Sequence, residues 1–250
     1  MMKKILIIIS FLFIAFEVSG CKFNKEEGAS SNLLSESISY IEKTNISDIW
    51  EYEITNDIVK ITKCRDYGLY IIVPEQIDGK NVKMIGEEAF YQHTDTISIM
   101  LPQNLKIIEG GAFYRCYSLA KIYIPESVNK IGSNPFFRCS SLTAITVASD
   151  NPFYTDINGV LFNKDKTELI VYPEGNLLEN YTIPESVIKI PNDAFGYHCY
   201  NLKKLTIPST VTDFPDCNMF IYPNEITLIV KKNSKAEEYA IKYGVNYIIQ

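Results

Sequence analysis

Residues 119–142 read Leu-Ala-Lys-Ile-Tyr-Ile-Pro-Glu-Ser-Val-Asn-Lys-Ile-Gly-Ser-Asn-Pro-Phe-Phe-Arg-Cys-Ser-Ser-Leu. Leu119, Ile122 and Ile124 are apolar, and the last two are spaced by two, so they point to one side of a short strand. Pro125 ends that strand because it has no N–H to give to a ladder. Val128 and Ile131 follow three and six residues beyond the proline, Phe136 stands five further on, and Cys139 precedes Leu142. With Leu142 the pattern starts again: Ile145 and Val147 take the strand slots and Ala148 the proline slot.

Outward from this unit the same slots recur. Leu178-Glu-Asn-Tyr181-Thr-Ile183-Pro184 and Leu202-Lys-Lys-Leu205-Thr-Ile207-Pro208 repeat the strand. Leu105, Val128, Val187 and Val211 share one later slot, and Ile108, Ile131, Ile190 and Phe214 another. Phe90, Phe113, Phe136 and Phe195 form a third, with His93, Cys116, Cys139 and Cys199 close behind. The steps from Pro102 to Pro125 and from Pro125 to Ala148 are both 23 residues. A unit this short, with one strand, cannot bury its own apolar face, whereas stacked copies cover one another. Each slot then becomes a column along a solenoid, and each buried phenylalanine contributes roughly 1.5–3 kcal/mol.

Successive copies of Ile-x-Ile-Pro-x-x-Val-x-x-Ile-Gly-x-x-Ala-Phe-x-x-Cys-x-x-Leu resemble the BspA-like class of bacterial leucine-rich repeats, from Ile71 to Val230. Thr96 in a leucine slot, Ala148 in the proline slot and Phe214-Pro215 in place of Ile-Gly are departures that read as worn copies. The resemblance implies a β-rich, right-handed leucine-rich-repeat solenoid that binds host matrix or plasma proteins, or other cells. It carries over no catalytic residue.

The flanks complete the organisation. Lys3 and Lys4 precede the apolar run Ile5–Phe16, and Val18-Ser-Gly-Cys21 closes it. A basic start, a short apolar core and small residues before a cut site make a secretory signal over residues 1–20. The run is shorter than the about 20 residues a spanning helix needs. Val-Ser-Gly-Cys resembles the bacterial lipobox, which implies lipid on Cys21 and anchoring without a spanning helix. Residues 21–49 are expected as a lipidated tether with a short helix at Leu33, Leu34, Ile38 and Ile41. A hairpin turning at Asn56-Asp57 is expected to cap the solenoid over 50–70. The solenoid itself spans 71–230, with an inserted hairpin at 149–180 whose strands, Gly159–Phe162 and Glu168–Tyr172, flank a polar loop. Residues 231–250 hold a C-terminal helix-strand cap, with Ser234-Lys-Ala-Glu237 as a capping box and Gly244 as the stop.

Without residues 1–20 the chain keeps 22 basic and 29 acidic residues, a net charge of −7. That balance argues against a nucleic-acid partner, which needs a basic face. The repeat-slot cysteines read as small core fillers. A Cys116–Cys139 disulfide between adjacent rungs is the second reading and zinc the third, with no Cys-x-x-Cys pair to support it. His198 beside Cys199 is weighed as a thiol nucleophile with its base and set aside, since neighbouring side chains diverge. No catalytic or metal-ligating residue is assigned and no cofactor is expected. Lys121, Tyr123, Thr146, Thr182, Lys204 and Thr206 alternate with core positions and form the candidate binding face. Tyr91, Tyr114, Phe137, Tyr117 and Tyr200 read equally as recognition rings or as filler between repeats. The expected function is a surface lipoprotein of the cell envelope that binds extracellular or cell-surface proteins in adhesion. The rival is an envelope lipoprotein that binds a glycan or a protein of its own cell, and a hydrolase is a distant third.

Overall fold

The computed structural model describes residues 46–196, 199–220 and 222–250. The signal at 1–20, Cys21, the Leu33–Ile41 helix and His198 lie outside them. A four-residue helix, α1 (Ile46–Ile49), leads into a hairpin of β1 (Trp50–Thr55) and β2 (Ile58–Cys64). Asn56 and Asp57 take left-handed φ values of 50° and 60°, the geometry of a tight two-residue turn. The chain then winds as a β-solenoid of about 8 turns.

Two parallel ladders form the first half. One stacks β3 (Tyr70–Ile72), β6 (Ser98–Met100), β8 (Lys121–Ile124) and β10 (Ala144–Val147) in the order β10-β8-β6-β3. The other runs from the hairpin through β5 (Lys80–Ile85) and β7 (Ile107–Ile108) to β9 (Lys130–Ile131), with β4 (Gln76–Ile77) folded back on β5. Between them each rung turns at its phenylalanine. Glu88, Gly111 and Asn134 all take positive φ there, and so do Gln92, Arg115 and Arg138. Only one of these six is glycine, so the rung-to-rung bonds hold strained residues in place. Those bonds run from Phe90 N–H to the Ala112 carbonyl (2.8 Å) and from Phe113 N–H to the Pro135 carbonyl (2.9 Å). The glycine after the isoleucine slot has a different reason: a Cβ on Gly132 would lie 2.4 Å from the Gly110 nitrogen of the rung before.

The period then breaks, and the break is built as a wall. β11 (Tyr154–Ile157), β12 (Val160–Asn163) and β13 (Leu169–Val171) form an antiparallel sheet with core on both faces. Leu161 and Val171 belong to the first core, while Val160, Phe162, Leu169 and Tyr172 belong to the second. The two strands expected in the insertion, Gly159–Phe162 and Glu168–Tyr172, leave out β11. That strand shows no apolar alternation, since its four residues are all half-buried. It joins β12 through Asn158 and Gly159, both at positive φ. Next to the wall the regular backbone acceptors are replaced by side chains. Ile131 N–H donates to the Tyr154 hydroxyl (3.0 Å), Arg138 N–H to Glu174 Oε1 (2.9 Å) and Asn134 N–H to Asp193 Oδ2 (2.7 Å). Asn151 is fully buried and fully used: its amide donates to the carbonyls of Pro125 and Val128 and its oxygen accepts from Phe153 and Tyr154.

Beyond the wall one parallel sheet orders β14 (Asn180–Thr182), β15 (Lys204–Thr206), β16 (Thr227–Val230) and β17 (Asn246–Ile249). Helix α2 (Lys235–Tyr243) packs across β16 and β17. Ser234 caps its start by accepting from Glu237 N–H, and Gly244 ends it at φ 66°.

Candidate binding face

Within each ladder the middle residue of the strand points inward. Ile71, Ile99, Ile122, Ile145, Tyr181, Leu205 and Leu228 are all buried. Their neighbours therefore face out, and the parallel registers align them in rows. Tyr70 lies against Ser98, Ser98 against Lys121 and Lys121 against Ala144. The second row of this sheet places Ile72 against Met100 and Tyr123 against Thr146. In the last sheet Asn180, Lys204, Thr227 and Asn246 form one row, and Thr182, Thr206, Ile229 and Ile248 the other.

The six face residues expected from the sequence fall into two groups. Lys121, Tyr123 and Thr146 share the β3–β10 sheet, and Thr182, Lys204 and Thr206 share the β14–β17 sheet, with the wall between them in the chain. All are exposed except Thr206, which is half-buried. Tyr70 and Ile72, 60% and 41% exposed, share the first of these sheets and are not among the six. The signal for them was present, because Ile71-Ile72-Val73-Pro74 is itself a copy of the strand motif and alternation places Tyr70 and Ile72 outside. None of the outward positions carries a carboxylate. Acidic residues begin just outside the strands, at Glu179, one residue before β14, and at Glu225, two before β16.

Other singled-out residues serve the stack. Phe90 and Phe113 lie face to face at 5.2 Å, Phe113 and Phe136 at 5.3 Å. Tyr91, Tyr114 and Phe137 form a second, half-buried ladder at 5.3 and 5.4 Å, and the Arg115 guanidinium lies over Tyr114 and donates to the Tyr91 hydroxyl at 3.1 Å. Tyr117 and Tyr200 are exposed, at 38% and 53%. The described cysteines are free. Cys116 and Cys139 are fully buried, and each thiol donates at 3.1 Å to a phenylalanine carbonyl of the previous rung, Phe90 or Phe113. Burial pushes the Cys139 and Cys199 thiols well above the usual range and Cys64 up to about 12, the opposite of what a nucleophile needs. His93 fills the cysteine slot of the opening rung, stacked on Tyr67 at 4.5 Å, and among the described residues neither ring nitrogen has a hydrogen-bond partner. Burial holds its pKa below the usual imidazole value. Thr96, in its leucine slot, is buried and donates to the Gly68 carbonyl at 2.8 Å. Among the described residues no three His, Cys, Asp or Glu side chains converge as metal ligands, and no helix is long and apolar enough to cross a membrane.

The family model for the BspA type leucine rich repeat region matches six copies, over residues 74–177 and 170–227. Among solved structures, a leucine-rich repeat protein from Eubacterium ventriosum is 18% identical, with 76% of this chain and 72% of that one covered and a TM-score of 0.45. A leucine rich cell surface protein from Faecalibacterium prausnitzii is 20% identical over 69% of this chain and 72% of its own, at 0.40. The T. pallidum leucine rich repeat protein is 19% identical over 82% and 97%, also at 0.40. No curated protein matches.

Proposed function

The chain belongs to the BspA-type leucine-rich-repeat family, and on that premise we propose that it is a non-catalytic surface lipoprotein, anchored through Cys21, whose solenoid binds protein partners in adhesion. The observation that carries this reading is the pair of outward sheet faces, whose rows repeat at rung spacing along the molecule. A regular, extended face suits a large protein partner. The lipobox-like Val18-Ser-Gly-Cys21 supports the anchor.

Purified residues 22–250 are screened against immobilised matrix proteins, beside a variant with alanine at Lys121, Tyr123, Thr146, Lys204 and Thr206. The variant is expected to lose binding and to melt nearly as the parent does. Undiminished binding would move the site to another surface. For the anchor, Cys21→Ser is expected to shift the protein from the detergent phase to the aqueous phase of fractionated cells, and an unchanged partition removes the lipid from the account.

A further inference from the structure

The sheet faces differ in chemistry from the rest of this acidic chain. Six ion pairs are formed among the described residues, such as Lys60–Glu109 and Lys189–Glu168, and none involves Lys121 or Lys204. Both lysines stand exposed on rows without a carboxylate; the row of Lys121 holds Tyr70, Ser98 and Ala144, while Lys204 is bordered by Lys203 and bonds through its N–H to the Glu179 carbonyl. Against the 30 acidic residues of the chain, rows free of carboxylates leave a negatively charged partner less repulsion to overcome on this face.

Beside Lys121 runs an apolar strip. Ile72 and Met100 are paired in register, and Tyr123 stands on the next strand one rung further along. Rungs are about 4.8 Å apart, so these side chains form one continuous band. Tyr70, on the same edge strand as Ile72 but in the row of Lys121, adds a ring that is 60% exposed. Ile72 and Met100 offer nothing to sugar hydroxyls, and covering them requires apolar side chains. Tyrosine beside such residues supplies large contact area at low entropy cost.

We infer that the β3–β10 face takes a protein segment that is apolar or aromatic along its centre and carries carboxylates that reach Lys121. The inference deepens the proposed function and rests on it, because it assumes that the sheet face is the binding surface. The strip anchors the partner, and the unpaired lysine selects for acidic side chains and makes the contact sensitive to salt.

The test uses the full-length protein extracted in mild detergent and three fluorescent polymers: a random glutamate–tyrosine copolymer, polyglutamate and heparin. The copolymer is expected to bind best and to weaken at high salt. Lys121→Glu is expected to weaken it about tenfold, by charge reversal. Ile72→Ser with Tyr123→Ala is expected to bring the copolymer down to the level of polyglutamate. Melting curves confirm that these exposed substitutions leave the fold intact. Heparin binding in the absence of copolymer binding would overturn the inference in favour of an acidic glycan. A copolymer that fails to bind, while the matrix-protein screen still depends on the face, overturns the partner chemistry alone. Copolymer binding that survives both the charge reversal and the apolar pair of substitutions overturns the face itself.

Discussion

Before the β11–β13 wall, Phe90, Phe113 and Phe136 stack with interplanar angles of 20° and 12°. Beyond it, Tyr172, Phe195 and Phe220 continue the column at 24° and 54°. The cysteine slot changes in parallel. Cys116 and Cys139 reach back a full rung to a carbonyl at 3.1 Å, whereas Cys199 is half-buried and lies 3.7 Å from the Gly196 carbonyl of its own rung. Copies that keep the 23-residue step pack as identical layers, and copies that drift from it pack as individuals. Phe214-Pro215, in place of Ile-Gly, lies in the drifting half. In a stacked solenoid each layer sees only its neighbours, so stability should differ between the halves.

The largest expected effect tests that difference directly. Phe113→Ala removes a fully buried ring held between two parallel rings and should cost roughly 3–5 kcal/mol. Phe195→Ala should cost less, because one of its ring contacts is already tilted by 54°. Denaturant unfolding of both variants decides it, and equal losses would mean that ring geometry carries none of the difference.

The wall itself gives the next test. Ile131 N–H lacks a rung beyond it and uses the Tyr154 hydroxyl instead. Tyr154→Phe keeps the ring and removes the acceptor, so it should cost about 1–3 kcal/mol, the range for a donor left without a partner. A neutral result would show that water takes over that bond.

Most of the first half was legible because apolar slots, proline and phenylalanine recur at one step. The wall was harder to read. Tyr172 lies 23 residues before Phe195, and its N–H donates to the Ala194 carbonyl at 2.6 Å, the same bond type that Phe90 and Phe113 make. It is therefore a member of the phenylalanine column, hidden because a tyrosine stands there and because it lies 36 residues after Phe136. Asn158-Gly159, a strong hairpin signal, marked the turn from β11 to β12 and was passed over. Gln92, Arg115 and Arg138 were not legible as left-handed positions, since their side chains give no hint of it and only the rung-to-rung bonds enforce it. On the candidate face, the alternation that placed Lys121 and Tyr123 applied equally to Tyr70 and Ile72, but the first copy has no preceding proline to fix its register.

A smaller effect of opposite sign is expected in the second half. The Tyr181 ring is buried against Tyr172, and among the described residues its hydroxyl has no hydrogen-bond partner. Tyr181→Phe removes that unsatisfied group and should stabilise the protein by about 1 kcal/mol. In the first half the same slot holds Ile122 and Ile145, which have no hydroxyl to lose. A lower melting temperature for Tyr181→Phe would mean that the hydroxyl is satisfied after all.

The last effect is a dependence on pH, and it belongs to the opening rung alone. His93 is buried against Phe90 and Tyr67, and burial outweighs the nearby Phe90, Tyr91 and Asp66 backbone carbonyls and the Asp66 carboxylate in setting its pKa below the usual value. In the unfolded chain the imidazole titrates at about 6.5. Below that pH the unfolded chain binds a proton that the folded chain refuses, so stability falls as pH drops through 6.5 and stops falling once the folded pKa is passed. Above it the term vanishes, since both states are neutral. His93→Cys restores the residue of the later rungs, whose thiol is protonated throughout this range. The difference in melting temperature between parent and variant should be constant above the usual imidazole pKa and should shift in favour of the variant as the pH falls below it. Carboxylates that titrate in both proteins cancel in that difference, as does His198. A difference that stays flat through the acid range would show that His93 finds a proton-accepting partner when charged and that the opening rung opens to admit it.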